Sequence, residues 1–304
     1  MSVVLSVKNL SKSYGVVKAL NGVSFDVPRG TVFGILGPNG SGKTTLLGII
    51  MEVLKANSGE FLWNGEPGNE KQRRQIGTLL ETPNFYHYLS GEANLNIAAE
   101  IKEKGKQDIP VVLEKVNLTE RRLSKFKTYS LGMKQRLAIA STLLGNPDIL
   151  VFDEPTNGLD PAGIAEIREL MKQLNREGKT IIMASHILDE VEKVCTHVAI
   201  IQKGDLKMSG PVSEVLNTSE DKSVLITISS DDNNKLESEI RNIPGVISAK
   251  QIDGVIQLIC DATVSPATIN QFCFSKGIVL QQLQRKRKTL EARFLEITGG
   301  MSDR

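Results

Sequence analysis

One nine-residue stretch constrains this chain more than any other: Gly37–Thr45, with the sequence GPNGSGKTT. It fits the pattern G-x-x-x-x-G-K-[ST], follows the apolar run Val32–Leu36 and precedes the apolar run Leu46–Ile50. This order predicts a buried strand, a loop and a helix. Glycines allow backbone conformations closed to other residues, so several N–H groups can converge on anionic oxygens at the start of that helix. The stretch therefore predicts a binding site for nucleotide phosphates.

Two side chains of this loop have predicted tasks of their own. Lys43 would bring a full positive charge to the outer phosphates, and the hydroxyl of Thr44 would ligate Mg²⁺. A glycine-rich turn on an unrelated fold is the alternative. Because strand, lysine and threonine occur together here, we interpret the stretch as a phosphate-binding loop.

The composition of the chain limits the kinds of partner that it can be expected to bind. The 304 residues suggest two domains, and a net charge of +2 gives no sign of a nucleic-acid surface. The short basic run Arg285–Lys288 is either a solvated face or a weak contact with lipid headgroups. Three scattered cysteines predict free thiols in a reducing compartment. Without a signal peptide or a continuous apolar run of about 18 residues, we expect any membrane role to need a separate partner.

The spacing of apolar residues along the chain predicts two domains with different folds. Strands alternate with helices from residue 1 to 218, which predicts an α/β domain with a largely parallel sheet covered on both faces. Residues 89–145 change to a helical period, broken at Gly105, Pro110 and around Lys125–Tyr129, and are predicted to form a helical insert. Residues 219–304 show the β-α-β-β-α-β order of ferredoxin-like domains and carry no obvious chemistry.

The N-terminal region predicts early strands and a candidate base-stacking residue. Val3–Val7 and Val23–Val27 have strand patterns, and Asn21-Gly22 is a predicted turn. Tyr14 is predicted to lie in the loop after the first strand. There it would either stack on a nucleotide base or merely cover the edge of the sheet.

Two acidic residues end a short apolar strand. Asp153 and Glu154 follow Ile149–Phe152, and adjacent residues of a strand point in opposite directions, so they can serve different tasks. Asp153 would hold Mg²⁺, usually through water, and Glu154 would take a proton from the attacking water. Two solvated acids at a strand end are the alternative. A phosphate loop upstream favours the chemical interpretation, because such sites need a second strand that carries a carboxylate.

Several motifs occur in an order that resembles the nucleotide-binding subunits of ATP-binding-cassette (ABC) transporters. They are Gly37–Thr45, Leu80-Glu81, Ser130–Arg136, Phe152–Pro155, Asn157–Asp160 and Ser185-His186. The resemblance covers roughly residues 2–217. It implies the ABC ATPase fold, an α/β fold with a mixed, mostly parallel sheet and a helical subdomain, here followed by the small α+β ferredoxin-like domain. The motif variants also resemble the bacterial branch that exports bacitracin and similar peptide antibiotics.

The resemblance assigns roles to residues outside the phosphate loop. Ser130 and Gly132 match the serine and second glycine of the family signature, which meet the γ-phosphate bound by the other subunit. Asp160 would lie at the dimer interface, His186 would contact the γ-phosphate and the attacking water, and Tyr14 matches the adenine-stacking position. Simpler interpretations stay open: Ser130 and Asp160 are also predicted helix N-caps, and a solitary histidine after a strand is often incidental.

Together these assignments define the predicted site. The residues assigned to ATP are Tyr14, Gly37, Pro38, Asn39, Gly40, Ser41, Gly42, Lys43, Thr44, Thr45, Glu81, Ser130, Gly132 and Asp160. The residues assigned to Mg²⁺ are Thr44, Asp153 and Glu81, and those assigned to catalysis are Glu154, His186 and Lys43.

Three positions depart from the family pattern. Glu81 stands where the family usually has glutamine, and Leu131 and Met133 replace the first glycine and the glutamine of the signature. A carboxylate at position 81 would add negative charge near the γ-phosphate, which is unfavourable unless a metal ion offsets it. The side chains of Leu131 and Met133 would affect how closely the phosphate loop of the other subunit approaches the signature.

The resemblance implies an ATP hydrolase that works as a head-to-tail pair with ATP and Mg²⁺. The pair would be a homodimer or would include a second ATPase subunit, and it would serve a multi-spanning permease at the cytoplasmic face of the membrane. ATP binding would close the pair and drive export. One alternative is a soluble ABC-type ATPase that acts in translation, on DNA or in cofactor assembly. In a third hypothesis, the C-terminal domain binds a regulatory ligand or drives dimerisation.

Overall fold

The computed structural model describes residues 2–80, 84–216, 223–252, 254–261, 263–286 and 289–298. Glu81, one of the predicted ATP and Mg²⁺ ligands, lies outside these residues. Contacts group the chain into two compact units: one contains the residues up to Val212 together with the segment that starts at Phe294, and the other is Ser213–Arg293. The domain limits expected from the sequence, 1–218 and 219–304, stay a prediction.

The first unit contains ten strands in two sheets, as far as its described residues show. The strands are β1 Val3–Tyr14, β2 Val17–Pro28, β3 Val32–Leu36, β4 Ser58–Trp63, β5 Glu66–Pro67, β6 Ile76–Leu79, β7 Ile149–Asp153, β8 Thr180–Ser185, β9 His197–Gln202 and β10 Asp205–Pro211. A four-stranded antiparallel sheet has the order β2-β1-β4-β5. A six-stranded sheet has the order β10-β9-β3-β8-β7-β6, parallel except for the edge strand β10. This confirms the predicted mixed, mostly parallel sheet.

The central strands place the predicted motifs at one edge of the six-stranded sheet. Every residue of β3, β7 and β8 is buried, as expected for apolar strands covered on both faces. Leu36 is in register with Ser185, and Asp153 with Ala184. Because these strands are parallel, the segments that follow their carboxyl ends emerge side by side.

Helices of the first unit cover this sheet or belong to the insert. They are α1 Lys43–Ile50, α2 Glu70–Arg73, α3 Gly91–Lys102, α4 Ile109–Lys115, α5 Leu131–Leu143, α6 Pro161–Arg176 and α7 Leu188–Val194. A further helix, α8 Val212–Leu216, starts at Val212 and continues into the residues of the second unit. The predicted start of α6 is confirmed, because the Asp160 carboxylate accepts a hydrogen bond from the N–H of Gly163 at 3.0 Å. Gly178, with φ +92°, ends the helix as expected.

The predicted helical insert is confirmed in α3, α4 and α5, with one difference. Pro110 does not break a helix, because it lies in the first turn of α4. Proline is well tolerated at this place, since the first N–H groups of a helix have no partner within it. Short 3₁₀ turns, including Phe126–Thr128, connect the three helices.

Two predictions for the first sheet are wrong. Tyr14 is not in a loop: it is the last residue of β1 and pairs with Val17. Asn21-Gly22 is not a turn but lies inside β2, where the pairing with β1 changes register. The positive φ of Gly22, +68°, is accommodated by this bulge, which kinks the strand without reversing the chain.

The second unit has the predicted β-α-β-β-α-β order. Its elements are β11 Ser223–Ser230, α9 Asn233–Ile240, β12 Val246–Ile252, β13 Val255–Asp261, α10 Pro266–Ser275 and β14 Leu280–Lys286. The last helix, α11 Leu290–Thr298, begins in this unit, and its residues from Phe294 on are grouped with the first. The sheet order is β12-β13-β11-β14, with all neighbours antiparallel. Ile226, Ile228, Leu236 and Ile269 are fully buried in the core of this unit. In the described part of the chain, none of the helices is both long and apolar enough to span a membrane.

Candidate nucleotide site

The phosphate loop runs from the end of β3 into α1, and its shape depends on glycine. A Cβ atom on Gly37 would lie 2.2 Å from the carbonyl oxygen of Ile201, and one on Gly42 would lie 2.3 Å from the carbonyl oxygen of Ala19. Gly42 also has φ +109°, a conformation that other residues rarely adopt. The loop therefore lies against neighbouring backbone with no room for side chains at these two positions.

Lys43 is buried beneath this loop and remains a hydrogen-bond donor. Its side chain is only 5% exposed, and its Nζ donates to the carbonyl oxygens of Gly37 at 2.8 Å and Pro38 at 3.2 Å. Burial lowers the pKa of Lys43, while the carboxylates of Glu154 and Asp153 oppose that shift. The lysine thus places its ammonium group between the loop and the acidic pair.

Glu154 contacts the two other residues predicted to be catalytic, Lys43 and His186. Its Oε1 lies 3.6 Å from Nζ of Lys43, and its Oε2 lies 2.8 Å from Nδ1 of His186. Glu154 has φ +48°, and its N–H donates to the carbonyl oxygen of Ala184 at 3.0 Å. A left-handed backbone is uncommon for glutamate and, where it occurs, is often associated with functional sites. The structure therefore brings Lys43, Glu154 and His186 into one cluster.

Oxygen donors next to the loop fit a divalent cation bound together with phosphate. Thr44 is exposed in the first turn of α1, and Asp153 ends β7 with 6% of its surface exposed. A hydroxyl and a carboxylate are hard ligands of the type that Mg²⁺ prefers. No group of three or more His, Cys, Asp or Glu among the described residues could hold a metal alone. Phosphate oxygens of a bound nucleotide are further ligands of this kind.

Ser41 supplies an independent sign of a ligand at the loop. Its hydroxyl is buried, and it has no hydrogen-bond partner among the residues that the structure describes. Buried hydroxyls are usually paired, so an unpaired one marks a place where a polar ligand would restore the lost bond. This supports the predicted contact between the loop and an anion.

Four other predicted ATP residues lie at the ends of other elements: Tyr14, Ser130, Gly132 and Asp160. Ser130 is the N-cap of α5, its Oγ accepting from the N–H of Met133 at 3.2 Å, and Gly132 follows in the first turn. Asp160 caps α6, so the structural role of both caps is confirmed. Tyr14 is 48% exposed, with Nζ of Lys12 5.3 Å from its ring centre. The contacts of these residues with ATP stay predictions.

Sequence reasoning missed the role of Arg136. Its Nε lies 3.3 Å from Oε2 of Glu166 on α6, and its Nη1 donates to the carbonyl oxygens of Val116 at 3.0 Å and Asn117 at 3.2 Å. The sequence marked Arg136 only as the end of a motif. No spacing rule could have found these partners, since they lie far away along the chain.

Comparison with known proteins agrees with this geometry. A model of the family "ABC transporter" matches residues 20–157. The uncharacterized ABC transporter ATP-binding protein YhcH of Bacillus subtilis (strain 168) is 37% identical over 98% of this chain and 97% of its own length. The bacitracin transport ATP-binding protein BcrA of Enterococcus faecalis is 32% identical over 99% of this chain and 98% of its own.

A solved structure gives the same result for the fold. The dimeric structure of a post-hydrolysis state of the ATP-binding cassette MJ0796, bound to ADP and Pi, superposes with a TM-score of 0.61 at 26% identity. It covers 68% of this chain and 98% of that one.

The loop, the buried lysine and the acidic pair define a P-loop ATPase. Full-length similarity then makes the family plain: the chain belongs to the ATP-binding proteins of ABC transporters. It is an ATP-binding and ATP-hydrolysing transporter subunit, and the soluble alternative is disfavoured. The predicted ABC ATPase fold is confirmed.

Proposed function

We propose that this chain drives the export of peptide antibiotics and related compounds through a separate membrane permease. Support comes from a bacitracin transport protein that is similar over nearly the whole chain. The chain would work at the cytoplasmic face of the membrane, bound to that permease. The observation that carries the hydrolytic part of the proposal is the placement of Glu154 between Lys43 and His186.

The cluster suggests a division of labour in ATP hydrolysis. Glu154 takes a proton from the attacking water as general base, and the contact with His186 Nδ1 orients its carboxylate. Lys43 and the N–H groups of Gly37–Thr45 stabilise the negative charge of the β- and γ-phosphates. Tyr14, exposed at the end of β1, stacks on the adenine ring.

Mg²⁺ completes the proposed site. Thr44 and Asp153 would hold it, and Glu81 would bind the ion or a water molecule on it. When bound, the ion neutralises charge on the phosphates. Ser41, Thr45, Pro38, Asn39 and Gly40 belong to the loop that surrounds those phosphates.

Two copies form the active state in this proposal. Ser130 and Gly132 lie at the start of α5, where free backbone N–H groups favour an anion, and Asp160 lies at the start of α6. The phosphate loop of one copy would face Ser130 and Gly132 of the other. That a similar cassette is dimeric with ADP and Pi supports this arrangement.

Glu154→Gln tests the hydrolytic mechanism. The variant should bind ATP with unchanged affinity but turn over about 10²–10⁴-fold more slowly, because a general base is lost. Phosphate release and ATP titration measure the two quantities. Glu52→Gln is a matched control, since Glu52 also has a positive φ, +57°, and an ion pair, with Arg73 at 2.9 Å. Normal turnover in Glu154→Gln would contradict the proposed base.

Export is tested with inverted vesicles that contain this chain and its permease. ATP should drive accumulation of bacitracin in vesicles with the unaltered chain, and Glu154→Gln should abolish it. Accumulation that is equal with both proteins would exclude the proposed coupling.

A further inference from the structure

Two residues proposed to face the partner copy lie on different parts of the first unit. Ser130 caps α5 in the helical insert, whereas Asp160 caps α6 next to the sheet. The loop before α6 lies near the start of α5: Cδ2 of Leu131 is 3.4 Å from the position that a Cβ on Gly158 would occupy. Leu131 thus lies beside this loop, and 53% of its surface is exposed.

Arg136 makes a second connection between the same two helices. Only 16% of its side chain is exposed, and Nε lies 3.3 Å from Oε2 of Glu166 in α6. Nη1 donates to the carbonyl oxygens of Val116 and Asn117, which end α4. A planar guanidinium with several donors is suited to hold three segments at once. Arg136 therefore joins α4, α5 and α6.

An open crevice of about 410 Å³ lies between the insert and α6. Its lining combines apolar side chains with polar or charged ones, among them Lys115, Asn117, Arg136, Glu166, Glu169 and Gln173. Lys115 also pairs with Glu177 just beyond the end of α6. Two ion pairs, Arg136 with Glu166 and Lys115 with Glu177, therefore link the insert to α6 and to the residue after it at this crevice.

We propose that Arg136 is a positioning residue for ATP hydrolysis. It fixes α5 against α6 so that Ser130 and Asp160 meet the partner copy as one surface. Leu131, which replaces the glycine of the family signature, is the second contact of this joint. The inference rests on the proposed function, because it presupposes the pairing of two copies around ATP.

The first test measures pairing in the Glu154→Gln background. Arg136→Ala and Glu166→Gln should each lower the ATP-driven dimer population by about 5–30-fold, the change expected for 1–2 kcal/mol. ATP affinity of the monomer should not change. The charge-swapped protein, Arg136→Glu with Glu166→Arg, should recover part of the loss, which a merely destabilised fold would not do. Unchanged pairing in both single variants would overturn the proposal.

Arg122→Ala is the matched control. Nε of Arg122 lies 3.3 Å from Oε2 of Glu92, the same distance between the same atoms as at Arg136, but this pair lies wholly within the insert. Removing it should leave pairing unchanged. An equal loss in Arg122→Ala would mean that any damage to the insert has this effect, and would contradict a specific role for Arg136.

A second test does not need ATP or pairing. Spin labels at Leu123→Cys in the insert and Val53→Cys after α1 occupy strongly exposed positions, while all three native cysteines are buried. The distance distribution between the labels should broaden with Arg136→Ala and Glu166→Gln but not with Arg122→Ala. An unchanged width of the distance distribution would contradict the proposal that Arg136 holds α5 against α6. Failure of Glu154→Gln itself to pair would instead count against the proposed function, and the label distances would still decide the role of Arg136.

Discussion

The phosphate site and the helical insert belong to the same unit but are built in different ways. At the phosphate site, Lys43 and Asp153 are at least nine-tenths buried, and fully buried parallel strands set their positions. Within the insert, the start of α5 is exposed at Leu131, and Arg136 pairs with Glu166 of α6 beside an open crevice. Buried strands thus position the chemical groups, whereas Ser130, predicted to meet a second copy, lies at an exposed helix start.

The largest expected difference is in the turnover of two histidine variants, one at the phosphate site and one next to the insert. His186→Ala should lower turnover by about 10–100-fold, equivalent to about 1.4–2.8 kcal/mol, because Glu154 loses its 2.8 Å contact. His87, just before the insert, packs edge-to-face with Phe126, 5.6 Å between ring centres, and His87→Ala should leave turnover nearly unchanged. Steady-state phosphate release measures turnover in both variants. Equal losses of turnover in His186→Ala and His87→Ala would contradict a specific role of His186 at the phosphate site.

Two glycine-to-alanine substitutions compare the phosphate loop with the start of α5, because an added Cβ has no room at Gly37 and open space at Gly132. Gly37→Ala would push a Cβ onto the carbonyl oxygen of Ile201, so we expect weaker ATP binding and a loss of about 1–3 kcal/mol in the free energy of unfolding. A Cβ on Gly132 meets no atom within 4 Å. Gly132→Ala should therefore keep monomer ATP binding and stability, and impair only the pairing of two copies. Chemical denaturation and ATP titration of both variants check this, and weak monomer binding in Gly132→Ala would contradict it.

A pH-dependent prediction concerns Lys102, a half-buried cation at the end of α3. Its Nζ donates to the carbonyl oxygens of Ser141 at 2.8 Å and Thr142 at 3.3 Å, and burial lowers its pKa from 10.5 to about 8. Between these two pKa values the unfolded chain binds more protons than the folded one. The free energy of unfolding should therefore rise with pH from about 8 to 10.5, by about 1–3 kcal/mol.

Lys102→Met should remove this rise, and urea denaturation at several pH values measures it. Lys172→Met on α6 serves as control and should keep the rise. Lys43 differs from Lys102 because two carboxylates oppose the effect of its burial. A pH slope that persists in Lys102→Met would show that another group causes it.

The smallest effect is expected at Glu81. Glu81→Gln should change the metal dependence of turnover more than the affinity for nucleotide, because a carboxylate and an amide differ most in their interaction with a cation. Titrations with Mg²⁺ and Mn²⁺ compare the two proteins. Identical titration curves would speak against a role of Glu81 at the metal.

The sequence predicted features that depend on neighbouring residues and missed those that depend on distant ones. The phosphate loop, the acidic pair and the cap of α6 lie within short stretches, so residue type and spacing were sufficient. Tyr14 and Asn21-Gly22 were misplaced because local turn signals do not show that two long strands pair past them. Arg136 and Lys102 were missed because their partners become neighbours only after folding.

The central claim is that two copies hold ATP between them. Analytical ultracentrifugation of Glu154→Gln with ATP and Mg²⁺ measures this most directly, with and without the membrane subunit. The account predicts that the mass of the particle doubles when ATP is added and returns when ATP is removed. A chain that stays monomeric with ATP, even when its membrane subunit is present, would contradict it.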